Sequence, residues 1–269
     1  MASSPLRATL KRVFRLENRR RGVRHGTLEH LADFSRTVTI YLPPNYAERG
    51  ERRYPVLYMQ DGQNLFEPER AFVPGQHWRL AEAADAAIDE RTASPMIVVG
   101  VDHAGPARID EYTPTRDAKR KAGGKADAYG RLLLDELKPL IDARYRTIAS
   151  DTAIGGSSLG GLVSLYLGLR HADVFRAVAA MSPSVWWDDR AILREVDAFS
   201  GPRPRIWLDV GGREGAEALR DARALRDRLR ARGWSDDRFR YFEDRRGDHS
   251  ERAWARRARM MLEFLFPPS

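Results

Sequence analysis

Residues 151–161 read DTAIGGSSLGG, and this stretch decides the fold. It contains Gly156-Ser157-Ser158-Leu159-Gly160, a G-x-S-x-G pattern with a short apolar run before it and an apolar helical pattern after it. A serine on such a strand-to-helix turn presents its oxygen at a helix N-terminus, where the helix dipole favours negative charge. Ser158 is therefore the candidate nucleophile. The alternative is a glycine-rich phosphate cradle, but the stretch has neither a lysine nor G-x-G-x-x-G spacing.

Short apolar runs recur along the rest of the chain and alternate with longer helical patterns. Strands are predicted at residues 37–42, 55–59, 96–101, 152–155, 175–181, 206–210 and 239–242. Continuous apolar runs such as MIVVGV, residues 96–101, are expected for strands that are covered on both faces.

The intervening patterns have helical spacing. Helices are predicted at residues 78–90, 126–145, 160–170, 216–232 and 250–266, and Pro139 is expected to kink or split the second of these. Strands that alternate with helices favour a mostly parallel sheet with helices on both faces. The sequence thus predicts an α/β fold without a large lid domain, with its ligand site at the carboxyl ends of the strands.

The positive charge is concentrated at the amino end. The formal net charge is +8, and residues 1–24 alone carry +7, from eight Lys/Arg and one acid. The sequence therefore predicts a basic N-terminal arm, residues 1–24, and one catalytic domain, residues 25–269. Because the domain itself is nearly neutral, we expect no nucleic-acid partner. Binding to nucleic acid through the arm would show a steep dependence on salt.

Several classes of site and location are disfavoured by composition. The chain has no cysteine, so it has no disulfide, thiolate metal site or cysteine nucleophile. No apolar run approaches the length of a membrane span, and the arm lacks the apolar segment of an export signal. The expectation is a cytoplasmic protein with no membrane attachment and no metal or other cofactor.

A serine nucleophile needs a base, and His249 is the histidine in the right place. It lies in DRRGDHSE, residues 244–251, between the last predicted strand and the last helix, where a loop can reach back over the sheet. His171 follows the helix after Ser158 and fits a structural role better, and His25 and His30 come too early in the chain.

The base needs a carboxylate to orient it, and the order serine, acid, histidine places that group after the strand at 206–210. Glu214 follows that strand and is the first choice. Asp209 is the rival, although it lies within the strand and its side chain is expected to point into the sheet packing. Asp244 and Asp248 remain alternatives because they flank the histidine.

Two backbone N–H groups are needed to stabilise a tetrahedral oxyanion. Leu159 follows the nucleophile and supplies one, and Gln63, after the strand at 55–59, is the candidate for the second.

Trp186 and Trp187 follow the strand at 175–181 and are candidates for lining the substrate pocket, with buried packing as the alternative. Residues 108–112 either bind a polar substrate or brace their loop, and we favour bracing.

Four motifs together resemble a known family. YPVLYMQDGQNLF (54–66), GGSSLGG (155–161), SPSVWW (182–187) and GDHSERAW (247–254) look like the esterase branch of the α/β-hydrolases, which includes esterase D and the feruloyl and enterochelin esterases. The resemblance covers about residues 30–266 and implies an α/β-hydrolase fold. By resemblance the triad is Ser158, Glu214 and His249, and Gln63 and Leu159 are the oxyanion donors. The family acid is often aspartate, so Glu214 departs from the commoner pattern.

The expected function is that of a serine esterase that cleaves a small-molecule carboxylic ester through an acyl-enzyme intermediate. Transfer of the acyl group to a second alcohol would use the same residues. A non-catalytic binding protein on the same scaffold is the alternative from another class, because fold does not fix function.

Overall fold

The computed structural model describes the backbone of residues 13–15 and all of residues 25–268. The predicted basic arm, residues 1–24, otherwise lies outside the described residues. Val13–Arg15, within the arm, forms a short strand that pairs antiparallel with Thr27–Leu31.

A twisted sheet of nine strands forms the centre of the molecule. In chain order the strands of the protein are β1 (Val13–Arg15), β2 (Thr27–Leu31), β3 (Val38–Leu42), β4 (Tyr54–Gln60), β5 (Ile97–Val101), β6 (Arg116–Asp117), β7 (Ala122–Gly123), β8 (Thr147–Ser157), β9 (Phe175–Met181), β10 (Arg205–Gly211) and β11 (Phe239–Asp244). The order across the sheet is β1-β2-β3-β5-β4-β8-β9-β10-β11, and β6 and β7 form a separate small hairpin.

Six neighbouring strands, from β5 to β11 in that order, run parallel, whereas β1, β2 and β3 form an antiparallel edge. Every residue of β4 and β5 is buried, which explains why these strands read as continuous apolar runs. The predicted mostly parallel sheet is confirmed, and no large lid domain covers it within residues 25–268.

Helices cover both faces of the sheet. They are α1 (Leu80–Asp89), α2 (Arg108–Glu111), α3 (Ala126–Arg131), α4 (Lys138–Arg144), α5 (Leu159–Arg170), α6 (Trp187–Ala198), α7 (Ala216–Ala231) and α8 (Glu251–Leu265), with a π-helical turn, Leu132–Leu137, between α3 and α4. One hydrophobic core contains the apolar residues of α1 and α8, and the other contains those of α3 to α7. Among the described residues, no helix has the length and apolar character to cross a bilayer.

The sequence missed the elements that have weak periodicity. Strands β1 and β2, helices α2 and α6 and the β6–β7 hairpin were not predicted. The helix predicted at 126–145 is continuous, because the junction residues Arg131, Leu132, Leu137 and Lys138 all have αR dihedrals, but it contains a π-helical turn, Leu132–Leu137, shortly before Pro139. The predicted irregularity therefore takes the form of a local change in helix type and not of a break.

Candidate active site

Ser158 lies on a sharp turn between β8 and α5. Its φ and ψ of 56° and −122° are unfavourable for a residue with a side chain, and the turn is held by a 3.0 Å hydrogen bond from the Ser158 N–H to the Met181 carbonyl. The turn needs glycine, because a Cβ on Gly156 would lie 2.8 Å from the backbone of Gly160. This geometry lifts the hydroxyl of Ser158 away from the sheet and into solvent-accessible space.

His249 reaches the serine from the loop between β11 and α8. Its Nε2 lies 3.0 Å from Ser158 Oγ. The imidazole packs edge-on against Trp254 of α8, with ring centroids 5.0 Å apart at 81°, and its side chain is 46% exposed. The ring is therefore held on one side by an indole and remains open to a substrate and to water.

Glu214 completes a continuous chain of hydrogen bonds. Its Oε2 lies 2.7 Å from His249 Nδ1, and its Oε1 accepts from the Gly211 N–H at 2.7 Å and from Ser182 Oγ at 2.5 Å. Burial raises the pKa of this carboxyl group, but the hydrogen bonds from His249 and Ser182 outweigh burial and leave the pKa below its usual value. An ionised Glu214 selects the imidazole tautomer with the proton on Nδ1, so Nε2 is free to accept a proton from the serine.

The rival carboxylates have other partners. Asp209 is fully buried and accepts hydrogen bonds from Trp207 Nε1 at 2.7 Å and from the Ser182 N–H at 3.2 Å. Burial is the dominant effect on its pKa, which it raises to about 6. Asp244 accepts from the Arg246 N–H, and Asp248 accepts from Ser250 Oγ. The structure therefore brings Glu214 to His249, and directs Asp209 into the sheet packing as its position in β10 predicted.

The two candidate oxyanion donors lie beside the serine. Leu159 is the first residue of α5, so its N–H has no acceptor within the helix. Gln63 lies in a short 3-10 helix, Gly62–Asn64, directly after β4, and its N–H makes no hydrogen bond to the described residues. A Cβ on Gly62 would lie 2.6 Å from the backbone of Gly100, so this loop sits tightly against β5.

Arg108 braces the same loop. Its guanidinium binds Asp61 through two hydrogen bonds, at 2.7 and 2.8 Å, and Asp61 has a left-handed φ of 55°. Glu111 binds Arg36 in a similar two-point pair. Both observations fit the bracing role predicted for residues 108–112, and Arg108 in addition borders the cleft beside Ser158.

Two clefts meet at His249. The first has a volume of about 600 Å³ and contains Ser158, and its walls include the exposed Phe72 and Val73 and the partly buried Arg108. The second, of about 480 Å³, is lined by Arg120, Ser184 and Trp186 among others. His249 therefore lines both clefts, whereas Ser158 lines only the first.

The two tryptophans have different environments. Trp186 is 42% exposed, lines the second cleft and stacks against the guanidinium of Arg120 at 4.7 Å. Trp187 is 1% exposed, and its indole N–H donates to the Thr115 carbonyl at 3.0 Å. The prediction that Trp187 lines the substrate pocket is wrong, because its ring packs under the β6–β7 hairpin, where it approaches Gly123.

Asp102 and His103, which follow β5, are adjacent side chains of the types that bind metal ions, but each has a partner within the protein. Asp102 forms an ion pair with Arg70 at 2.6 Å, and His103 accepts a hydrogen bond from the Gly105 N–H. Within the part of the chain that the structure describes, no three His, Asp or Glu side chains are grouped as metal ligands.

Sequence reasoning missed four residues that contact the site. Ser184 Oγ lies 3.3 Å from Ser158 Oγ, Trp254 contacts His249, and Ser182 and Arg257 lie behind Glu214. Ser182 and Ser184 belong to the SPSVWW motif that carried the family resemblance, so that motif was the available signal. The signal for Arg257 was its helical spacing, since position 257 lies on the same face of the last predicted helix as Trp254 and Met261.

Comparisons with known proteins identify the family and the fold. The family described as "Putative esterase" matches residues 31–265. An uncharacterised protein of Bacillus subtilis, YbbA, is 24% identical over 90% of this chain and 96% of its own length. The ferri-bacillibactin esterase BesA of the same organism is 30% identical, over 61% of this chain and 60% of its own. An IroE-like serine hydrolase structure from Shewanella oneidensis superposes with a TM-score of 0.71 at 21% identity, over 86% of this chain and 75% of that one.

Proposed function

The chain belongs to the putative esterase family, whose model spans residues 31–265, and on that premise we propose that it is a serine hydrolase that cleaves a carboxylic ester through an acyl-enzyme. One observation carries the proposal. Glu214, His249 and Ser158 form an unbroken chain of hydrogen bonds, 2.7 Å from carboxylate to imidazole and 3.0 Å from imidazole to hydroxyl. A nucleophile, a base and an orienting acid at these separations are what acyl transfer through serine requires.

In the first half of the reaction, Ser158 Oγ attacks the ester carbonyl carbon while His249 Nε2 takes the hydroxyl proton. The resulting imidazolium is stabilised by Glu214, which stays ionised. Collapse of the tetrahedral intermediate breaks the bond to the alcohol oxygen, and His249 returns its proton to that oxygen. The alcohol leaves, and the acyl group remains esterified to Ser158.

The proposed donors to the oxyanion of the intermediate are two backbone amides. The N–H groups of Gln63 and Leu159 have no acceptor among the described residues; Leu159 follows Ser158 directly, and Gln63 lines the same cleft as Ser158. Such preorganised donors commonly contribute about 2.7–4 kcal/mol each to transition-state stabilisation. Leu159 also benefits from its place in the first turn of α5, where the helix dipole favours negative charge.

In the second half, water replaces the alcohol. His249, which is 46% exposed, takes a proton from a water molecule that attacks the acyl carbon, and it then returns the proton to Ser158 Oγ as the acid leaves. The two clefts provide separate space for the acyl and alcohol parts of a small-molecule ester. This chemistry uses only groups of the chain and water.

A panel of esters tests the proposal. Purified protein is assayed with short-chain p-nitrophenyl, feruloyl, acetyl-sugar and siderophore esters, together with the Ser158→Ala variant. The matched control is Ser164→Ala, because Ser164 lies on α5 and its buried hydroxyl has no partner among the described residues. We expect hydrolysis of at least one class, abolished in Ser158→Ala and kept in Ser164→Ala. Binding without turnover across the panel would instead favour a non-catalytic protein on this scaffold.

A further inference from the structure

The hydroxyl of Ser182 lies at the carboxyl end of β9, directly behind Glu214. Its oxygen has three partners within hydrogen-bond distance: Glu214 Oε1 at 2.5 Å, Trp254 Nε1 at 3.1 Å and Arg257 Nη2 at 3.1 Å. Ser182 is 3% exposed, so solvent does not compete for these contacts.

The direction of each hydrogen bond follows from the donor inventory. An indole N–H and a guanidinium can only donate, so Ser182 Oγ accepts from both Trp254 and Arg257. These two bonds occupy the lone pairs of the hydroxyl, and its single proton is left for Glu214. Ser182 is therefore a donor of fixed direction, aimed at the oxygen of Glu214 that does not face His249.

A buried ion pair holds this arrangement in place. Arg257 is 1% exposed and Asp209 is fully buried, with 3.4 Å between Nη1 and Oδ1. Asp209 also anchors the backbone of Ser182, whose N–H donates to the Asp209 carbonyl at 2.9 Å and to Oδ1 at 3.2 Å. Ser182 has a left-handed φ of 43°, so these bonds keep it in a conformation that a serine rarely adopts.

We propose that Ser182 is a positioning residue: it holds Glu214 in the rotamer that faces His249, and the Arg257–Asp209 pair fixes Ser182 itself. The inference rests on the proposed function, in which Glu214 orients the base. It also gives Asp209 a role, as the counter-charge that keeps Arg257 directed at the serine. The line of contact then runs from Asp209 through Arg257, Ser182 and Glu214 to the imidazole.

Loss of the hydroxyl should change the chemical step more than substrate binding. Glu214 Oε1 would keep only the Gly211 N–H as a donor, and the carboxylate would gain freedom to rotate away from His249. Because displacement of a catalytic group by about 1 Å can cost on the order of 100-fold, we expect kcat to fall by about 10- to 100-fold with KM within about twofold. The low-field proton resonance of His249 Nδ1–H should broaden or shift, because it reports the bond to Glu214.

The experiment compares Ser182→Ala, Ser182→Gly and Ser164→Ala with the unmodified protein. Glycine accepts a φ of 43° without strain, so Ser182→Gly removes the hydroxyl while favouring the observed backbone. Ser164→Ala removes a buried hydroxyl that has no partner in the described part of the chain and serves as the matched control. For each protein, kcat, KM, the thermal midpoint and the His249 Nδ1–H resonance are measured.

The proposal predicts that both Ser182 variants lose kcat and alter the resonance, while Ser164→Ala retains both. Recovery of kcat in Ser182→Gly would show that backbone strain, not the hydroxyl, caused the loss in Ser182→Ala, and would overturn the proposal. An unchanged resonance in folded Ser182→Gly would do the same. Absence of activity in the unmodified protein would refute the proposed function. The role of Ser182 would still be tested in that case, because the His249 Nδ1–H resonance is read without turnover.

Discussion

Glu214 Oε2 lies 2.7 Å from His249 Nδ1, although the two residues come from different loops, after β10 and after β11. The Glu214 side chain is 3% exposed and the His249 side chain is 46% exposed, so the acid is shielded while the base remains accessible. This contact converts a surface histidine into one with a fixed tautomer, and its consequences can be measured.

Replacing Glu214 with glutamine should lower kcat by about 10³- to 10⁴-fold, because an amide no longer selects the tautomer with its proton on Nδ1. The matched control is Glu136→Gln, since Glu136 is an exposed residue of the π-helical turn and lies outside both clefts. Steady-state kinetics on the best ester of the panel provide the test. Activity of Glu214→Gln close to that of the control would mean that another carboxylate orients the base.

The ionisation of Glu214 should also appear in the stability of the protein. Its pKa is lower in the folded state than in the unfolded chain, so the group favours folding above about pH 4.3, and this contribution is lost as the pH falls through the folded-state pKa. We expect the difference in free energy of unfolding between the unmodified protein and Glu214→Gln to shrink below pH 4. Urea denaturation at a series of pH values measures it, and a difference that stays constant with pH would contradict the prediction.

The buried Arg257–Asp209 pair should matter far more to stability than a surface pair. Arg257→Met leaves Asp209 without its counter-charge in the core, which we expect to cost about 3–5 kcal/mol. Arg228→Met removes an ion pair with Asp197 in which both side chains are more than 40% exposed, and it should cost about 1 kcal/mol or less. Equal midpoints for the two variants in urea denaturation would show that the buried Arg257–Asp209 pair contributes no more to stability than the exposed Arg228–Asp197 pair.

The tight loop after β4 can be tested through glycine. Gly62→Ala places a Cβ against the backbone of Gly100 and must displace the neighbouring Gln63 N–H. Loss of one oxyanion donor typically lowers kcat by about 10²- to 10³-fold, and we expect a loss of this order. Gly50→Ala is the control, because a Cβ there meets nothing within 4 Å. If Gly62→Ala retains full kcat, Gln63 is not an oxyanion donor.

Trp186 and Trp187 should respond in opposite ways to truncation. Trp187→Ala empties a core site and is expected to cost about 3–5 kcal/mol in unfolding free energy. Trp186→Ala, at an exposed site in the second cleft, should change stability by about 0.5 kcal/mol or less and raise KM. Thermal denaturation and kinetics of the two variants separate these roles. A KM that is unchanged in Trp186→Ala would remove that residue from the substrate site.

The sequence was most informative where local chemistry and topology agree. Ser158 could be identified because a tight glycine-flanked turn, a preceding strand and a following apolar helix all point to one nucleophile. His249 followed from chain order, since few histidines are placed to reach the carboxyl ends of the strands. These constraints are local or topological, and they do not require knowledge of side-chain packing.

The remaining features depend on packing, which sequence patterns do not report. Helix α8 contains several arginines, and helical spacing places Arg257 on its apolar face, but the pattern does not report which groups the buried guanidinium contacts. Trp186 and Trp187 are adjacent and chemically identical, yet the turn between them sends one ring to solvent and the other into the core. The role proposed for Ser182 depends on three partners from two distant segments, Glu214 after β10 and Trp254 and Arg257 on α8.

The central claim is that Ser158 is a nucleophile activated by His249. Its most direct test is labelling of the folded protein with a fluorophosphonate, followed by mass spectrometry of the modified peptide. The account predicts one phosphonyl group on Ser158 and none on the adjacent Ser157, with labelling abolished in His249→Ala. Failure of the folded protein to react, or labelling that persists in His249→Ala at the same rate, would contradict it.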